Sequence, residues 1–233
     1  PNSEFIYRIG NTKEIINMFQ VKQYVTTWSE FVYAIASNDG NFVLSGYAYS
    51  NIIGGTGIPG VAITINVLAS NYKGGRAAFL NAMNQKAKSL GLSDTNFTNP
   101  TGFEGDGNQY TTTYDLVVIT RYALLNFPLF SKVVSTFEQR IEASSTHKEY
   151  VLQNETNLLT SYPGVKGVKT GYTPEAGFCL VTYLDYNGNR FIGVILGSQN
   201  RREEMKELLD YSLNSINVIP PPHGWLKPKS RVK

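Results

Sequence analysis

The C-terminal third of the chain contains the pattern that most restricts its fold. Two strand-like segments, residues 176–184 and 190–196, flank the sequence DYNGN, in which Asn187-Gly188 is a typical hairpin turn. An amphipathic helix is predicted directly after them, from Arg202 to Tyr211. Its apolar positions are Met205, Leu208 and Leu209. A hairpin followed by such a helix predicts an antiparallel sheet with a helix packed on one face.

The middle of the chain is predicted to be mainly helical. From Arg76 to Leu90 apolar residues recur at helical spacing, and Gly91 follows as a cap. A second helix is predicted from the capping box Thr112–Asp115 to about Leu125. Residues 136–160 contain short extended segments. The shared face of the first helix consists of Phe79, Met83, Ala87 and Leu90.

The sequence pattern of the N-terminal part is less distinct. Residues 4–20 predict a short strand, a turn at Gly10-Asn11 and then a helix, and residues 28–36 predict another helix. With 233 residues, 42% of them hydrophobic and 17% charged, the chain can build one packed core. We therefore expect an α+β fold: an antiparallel sheet flanked by helices, with a helical lobe.

Composition argues against several classes of function. A net charge of +3 is too small to indicate nucleic-acid binding, and two histidines and one cysteine, Cys179, argue against a zinc site and against a Ser-His-Asp triad. Residues 55–60 match G-x-G-x-x-G, but Pro59 disturbs the turn and no acid follows before Asp94, so a flexible loop is preferred over a dinucleotide site. Two loop acids, Glu104 and Asp106, do not make a metal site, and no cofactor is expected.

A Lys-Thr-Gly sequence, Lys169–Gly171, provides the clearest functional signal. It lies in NLLTSYPGVKGVKTGYTPEAGFCLV, residues 157–181, which resembles the D-alanyl-D-alanine carboxypeptidases, the low-molecular-weight penicillin-binding proteins. Three more segments resemble this family in the same order: residues 79–103, 110–124 and 197–212. The resemblance covers about residues 76–212 and implies a fold like that of the serine β-lactamases and DD-peptidases.

The resemblance also implies roles for the residues around the motif. Lys169 would place positive charge near the terminal carboxylate of the substrate, and Thr170 would hydrogen-bond that carboxylate. Gly171 would leave the strand face bare, and the amide of Tyr172 would supply an oxyanion-hole donor. The implied partner is a peptidoglycan stem peptide in the bacterial cell envelope, outside the cytoplasm, or a β-lactam if a nucleophile is present.

The serine of the family's first motif, S-x-x-K at the start of a helix, is missing from its expected place. In YRIGNTKEIINMF, Lys13 falls on the motif lysine, the following residues would continue the helix, and the serine position is Gly10. Literal matches elsewhere do not open an apolar helix and are interpreted as chance. They are Ser70–Lys73, Ser145–Lys148 and Ser230–Lys233.

The second motif, S-x-N, is also uncertain in position. Alignment places it at Gly60-Val61-Ala62, while Ser37-Asn38-Asp39 is an alternative whose spacing does not fit without rearrangement. Only nine residues precede Gly10, so the N-terminal part is expected to be truncated or rearranged. Two functions therefore stay open: a carboxypeptidase acting through an acyl-enzyme, or a catalytically inactive relative that binds peptidoglycan peptides or a protein partner.

The predicted domain organisation is a single DD-peptidase-like domain over residues 1–218, followed by a basic tail or linker over residues 219–233. Four basic residues and Trp225 in this tail could contact an anionic membrane surface. A solvated end is the preferred interpretation. The basic residues are Lys227, Lys229, Arg231 and Lys233.

Overall fold

An antiparallel five-stranded sheet with helices on its two faces forms the centre of the described part of the molecule. The computed structural model describes residues 3–9, 15–21, 26–27, 66, 69–102, 107–143 and 149–223. Its strands are β1 (Ser3–Ile9), β2 (Ile15–Val21), β3 (Thr26–Thr27), β4 (Tyr110–Thr111), β5 (Glu138–Ile141), β6 (Tyr150–Gln153), β7 (Val165–Thr173), β8 (Gly177–Tyr186) and β9 (Asn189–Ser198). Its helices are α1 (Gly75–Ser89), α2 (Thr113–Asn126), α3 (Pro128–Ser135), α4 (Leu158–Ser161) and α5 (Arg201–Asn214).

The large sheet has the strand order β2-β1-β9-β8-β7, and every neighbouring pair is antiparallel. Two small two-stranded sheets, β3 with β4 and β5 with β6, complete the described strands. This architecture confirms the predicted α+β class with an antiparallel sheet flanked by helices. It also places β7, the strand of the Lys-Thr-Gly sequence, at one edge of the large sheet.

The second N-terminal element differs from the prediction. Residues 15–21 form strand β2 and not a helix, and they pair with β1 from Ile9↔Ile15 to Glu4↔Val21 with a bulge between Ile6 and Tyr7. The sequence IINMFQV combines β-branched and aromatic residues that favour strands, and β1 pairs with it on both sides of the bulge. The helix that was expected to follow Lys13 is therefore absent.

The predicted hairpin is confirmed. Asn187 and Gly188 connect β8 to β9 with φ values of 50° and 74°, the left-handed conformation that a tight two-residue hairpin turn requires at both positions. Asparagine tolerates this conformation and glycine adopts it freely. Since the turn fixes the register from Tyr186↔Asn189 to Leu180↔Ile195, it also fixes which side chains of these two segments face each side of the sheet.

The two central helices also agree with the sequence. In α1 the residues Phe79, Met83 and Ala87 are buried along one face, as predicted. Helix α2 begins after Thr112, whose hydroxyl accepts a hydrogen bond from the backbone N–H of Asp115, which confirms the predicted N-cap. Helix α3 follows at once, with Pro128 in its first turn, where a missing N–H costs nothing.

The large sheet separates two of the three hydrophobic core clusters of the described residues. One face of β8 and β9 packs against α2 and α3 through a cluster of buried side chains: Leu116, Val117, Ala123, Phe130, Val134, Val168, Ala176, Cys179, Val181, Ile192, Val194 and Leu196. The other face packs against α4 and α5, with Leu158, Tyr162, Val165, Leu180, Leu184, Phe191, Ile195, Met205, Leu208, Leu209 and Leu213. At Gly193 a Cβ atom would lie 2.7 Å from the Met205 sulfur, so this glycine allows α5 to lie close to β9.

The residues that follow α5 are held against it. His223 Nε2 lies 2.8 Å from a carboxylate oxygen of Asp210, and the buried Tyr162 hydroxyl donates to the other oxygen at 2.7 Å. The rings of Tyr162 and His223 stack with centroids 4.6 Å apart.

Among the described residues no single helix is long and apolar enough to cross a membrane. Helices α2 and α3 together meet the length and composition, but they are bent by 110°.

Candidate functional site

Strand β7 carries the Lys-Thr-Gly sequence along the edge of the sheet. Its register pairs Lys169 with Val181, Thr170 with Leu180, and Gly171 with Cys179 on β8. Directly opposite residues of an antiparallel pair share a face, so Lys169 shares the face of Val181, which packs toward α2 and α3. Thr170 shares the opposite face, toward α5. The motif therefore presents its lysine and its threonine on different sides of one edge strand.

The lysine and the threonine also differ in their surroundings. Lys169 is half-buried, and its ammonium donates to the carbonyl oxygen of Thr170 at 2.5 Å. Thr170 is buried, with 6% of its surface exposed, and its hydroxyl donates to a carboxylate oxygen of Glu155 at 3.3 Å. A buried hydroxyl of this kind is held in place by its neighbours and can direct its proton at a bound group.

A cavity of about 200 Å³ opens beside Thr170. It is bounded by the segment before α4, by β7 and β8, and by the N-terminal end of α5. The lining residues are Glu155, Thr156, Asn157, Leu158, Thr170, Phe178, Leu180, Gln199, Asn200, Arg201 and Arg202. Two arginines, a helix N-terminus and a threonine hydroxyl are groups that attract an anion, so the cavity has the chemistry of a carboxylate site.

Arg201 connects this cavity to the motif strand. Its guanidinium donates to the carbonyl oxygens of Gly171 at 2.5 Å and Cys179 at 3.2 Å, which lie opposite each other on β7 and β8. The same guanidinium lies 5.2 Å from the centre of the Phe178 ring, within the range of a cation–π contact. These contacts position Arg201 at the start of α5 and fix the strand end that follows Thr170.

Arg202 belongs to an ion-pair network on the same helix. Its Nε donates to Glu203 at 2.9 Å, and the buried Lys206 ammonium lies 3.2 Å from the second oxygen of Glu203. Burial alone would raise the pKa of Glu203, but hydrogen bonds from Arg202 and Lys206 and their positive charges hold that pKa below its ordinary value. These contacts therefore hold the charged side chains of Arg202 and Glu203 in place at the rim of the cavity.

Two aromatic rings continue the edge beyond Gly171. Tyr172 and Phe178 are cross-strand partners whose ring centroids lie 4.5 Å apart, and 44% and 38% of their surfaces are exposed. Exposed paired rings next to a polar cavity can contact an apolar part of a ligand. They extend the candidate site along β7 from Lys169 to Tyr172.

The structure brings together four of the residues that the sequence predicted: Lys169, Thr170, Gly171 and Tyr172 all lie on β7. Their individual roles stay predictions. Gly10 and Lys13 lie outside the described residues, and their assignment to the first motif stays a prediction that has lost the helix on which it was based, because residues 15–21 form a strand.

Other predicted positions can be placed only in part. Both proposals for the second motif, Ser37-Asn38-Asp39 and Gly60-Val61-Ala62, lie outside the described residues, as do Glu104, Asp106 and the tail from residue 224. Ser70 and Lys73 are both exposed, and their interpretation as a chance match stays a prediction. Across the described ranges, no group of three or more His, Cys, Asp or Glu side chains is placed to hold a metal ion.

Arg201 and Glu155 were missed by the sequence reasoning. Arg201 carries a usable signal, since two arginines at the N-terminal end of a helix oppose the helix dipole and are unfavourable there without a compensating role. Glu155 carries no such signal, because it lies in an irregular segment and reaches Thr170 only in the folded chain.

Comparison with known proteins gives a consistent result. A model of the D-alanyl-D-alanine carboxypeptidase family matches residues 62–200. The D-alanyl-D-alanine carboxypeptidase DacF of Bacillus subtilis is 35% identical over 156 residues, which are 66% of this chain and 39% of that protein. The chain spans roughly two fifths of the length of the first curated relatives that it matches.

Solved structures show the same fold. A mutant of the Streptomyces K15 DD-transpeptidase superposes with a TM-score of 0.74 at 24% identity, covering 91% of this chain and 97% of that one. Penicillin-binding protein D2 from Listeria monocytogenes, in its cefotaxime-bound form, gives a TM-score of 0.64 at 20% identity and covers 89% and 95% of the two chains. The sheet with helices on both faces is therefore an arrangement that these proteins share.

Proposed function

Because the chain belongs to the D-alanyl-D-alanine carboxypeptidase family, we propose that it binds peptidoglycan stem peptides that end in D-Ala-D-Ala and hydrolyses their terminal peptide bond through an acyl-enzyme. The observation that carries this proposal is the position of the Lys-Thr-Gly strand at the edge of the sheet, beside a cavity lined by Thr170 and Arg201. Peptidoglycan lies outside the cytoplasm, so the proposed site of action is the cell envelope.

Each residue of the strand has a proposed task. The Thr170 hydroxyl and the Arg201 guanidinium hold the terminal carboxylate of the peptide in the cavity. Gly171 has no side chain, so an extended peptide can lie close to the edge of β7. The amide of Tyr172 is the proposed oxyanion-hole donor, and Lys169 supplies positive charge on the face toward α2.

The acyl-enzyme requires a serine hydroxyl that attacks the carbonyl carbon of the penultimate D-Ala residue. The bond to the terminal D-Ala breaks, this residue leaves as the free amino acid after taking up a proton, and water then hydrolyses the serine ester. The described residues supply the substrate-binding side of this reaction. The serine is the group that experiment has to identify.

A fluorescent penicillin tests the enzymatic proposal directly, since a β-lactam acylates the same serine. We expect a covalent adduct with the full chain, and mass spectrometry of its peptides identifies the acylated residue. Lys169→Ala should abolish labelling, whereas Lys166→Ala, which removes an exposed lysine from the same strand, should leave it unchanged. Absence of any adduct with the unmodified chain would reject the acyl-enzyme.

A second candidate function is favoured by the sequence of the motifs themselves. Glycine at position 10, and Gly60-Val61-Ala62 at the aligned position of the second motif, suit a relative that has lost the chemistry and kept the groove. Such a protein binds muropeptides reversibly. Its affinity should fall on Lys169→Ala without any covalent labelling, and equal affinity in the variant and the parent would reject it.

A further inference from the structure

One acidic side chain lies in the cavity that otherwise suits an anion. Among the described residues that line it, Glu155 is the only carboxylate, against the two arginines, the N-terminal end of α5 and the Thr170 hydroxyl. Glu155 accepts the hydrogen bond of Thr170 at 3.3 Å. The Thr170 hydroxyl, which the proposed function assigns to the substrate carboxylate, is therefore already bonded to a carboxylate of the protein.

A threonine hydroxyl has one proton to donate. If a ligand carboxylate accepts it, Glu155 loses this bond and is left as a second negative charge in the same cavity, where like charges repel. The two carboxylates therefore compete for one donor. This competition weakens the binding of every ligand that carries a negative charge at this position.

The backbone around Glu155 is fixed, whereas its side chain is exposed to solvent. Thr156 is 2% exposed, and its N–H donates to the side-chain oxygen of Asn154 at 2.9 Å. The amide nitrogen of Asn154 donates in turn to the carbonyl oxygens of Val134 and Thr136, near the end of α3, at 3.2 and 3.3 Å. This anchoring keeps the Glu155 carboxylate within reach of Thr170, and its exposure allows a ligand to displace it.

Resting on the proposed function, we infer that Glu155 is a specificity-determining residue that competes with the terminal carboxylate of the peptide for the Thr170 hydroxyl. It weakens the binding of peptides with a free carboxylate and has little effect on peptides whose carboxylate is capped as an amide. The preference of the site for a peptide with a free carboxylate is then weaker than it would be with the two arginines alone.

The test compares N-acetyl-D-alanyl-D-alanine with its C-terminal amide, titrated into the full chain and followed by calorimetry or by amide NMR shifts. In Glu155→Gln we expect the affinity for the acid to rise by about three- to tenfold, the size of a close like-charge interaction near a surface, with no change for the amide. The control is Glu142→Gln, which removes the same charge from an exposed position outside the cavity and should change neither affinity.

A double-mutant cycle separates this role from a general charge effect. In a Thr170→Val background, Glu155→Gln should increase the affinity for the acid by less than it does in the parent chain, because the shared donor is gone. Equal or weaker binding of the acid by Glu155→Gln overturns the inference and leaves the proposed function standing. Absence of any preference for the acid over the amide in all of these proteins overturns the carboxylate site itself, and both proposals with it.

Discussion

Helices α2 and α5 pack on opposite faces of the same sheet, but their N-terminal ends are occupied in different ways. At the start of α2 the Thr112 hydroxyl caps the backbone, and the buried carboxylate of Asp115 accepts a 2.6 Å hydrogen bond from Thr95. At the start of α5, Asn200 makes no side-chain cap, and Arg201 borders the cavity. A helix N-terminus attracts negative charge in both cases.

The difference between the two helix ends lies in the surroundings of that negative charge and in its access to solvent. Helix α2 receives it from its own sequence, in a position closed to solvent. In helix α5, Glu203 lies in an ion-pair network with Arg202 and Lys206, and Glu204 accepts a hydrogen bond from the backbone N–H of Asn200 at 3.3 Å. The start of this helix also borders a cavity that a ligand can enter. One type of helix end therefore serves stability in the first case and, in the proposed function, binding in the second, depending on the residues beside it.

The buried side chains of α2 and α5 should contribute about equally to the free energy of unfolding. Leu116 on α2 is 1% exposed and Leu209 on α5 is 0% exposed, so replacing either by alanine should lower the free energy of unfolding by about 2–5 kcal/mol. Urea unfolding followed by circular dichroism measures both. Leu125→Ala removes a leucine that is 42% exposed and should cost much less. A small loss for Leu209→Ala alone would show that α5 is not held by the sheet as described.

The helix ends should respond unequally to loss of their N-cap side chains. Thr112→Ala removes a cap hydrogen bond and should cost about 1 kcal/mol of unfolding free energy, whereas Asn200→Ala should cost only a few tenths. The same urea experiment distinguishes the two. Equal losses would mean that the N-terminal end of α5 depends on its own cap as much as α2 does, and the comparison would fail.

The features that the sequence predicted correctly are those that depend on neighbouring residues. The Asn187-Gly188 turn, the Thr112 cap and the apolar face of α1 each follow from a few adjacent side chains. Strand β2 was predicted wrongly because its conformation depends on pairing with β1, and IINMFQV suits both a helix and a strand until that partner is present.

Of the candidate site, only the part along β7 was predictable. The Lys-Thr-Gly sequence and the strand-like residues around it identified the edge strand, and its place at the end of the sheet agrees. The cavity was not predictable, because it joins three separate parts of the chain: the segment with Glu155, strand β7 and the start of α5. Such a meeting of distant residues is a property of the folded core.

The smallest expected effect concerns the buried acid of α2. Burial raises the pKa of Asp115 and the charge of Asp94 adds to this, while hydrogen bonds from Thr95 and Thr112 oppose it. The folded protein therefore holds this proton more tightly than the unfolded chain does. The resulting stabilisation is complete below the unfolded pKa of about 3.9 and is lost as the pH rises through the folded pKa.

Asp115→Asn removes this titration and keeps a side-chain oxygen that can accept from Thr95. The unfolding free energy of the parent should therefore fall relative to that of the variant as the pH rises from 3 to 7, measured by urea unfolding across that range. Asp185→Asn, which removes the same charge from an exposed position on β8, serves as the reference for general charge effects. If the difference in unfolding free energy between Asp115→Asn and the parent stays constant with pH, burial does not disfavour the charged form of Asp115. The closed N-terminal end of α2 would then differ from the open end of α5 only in its access to solvent.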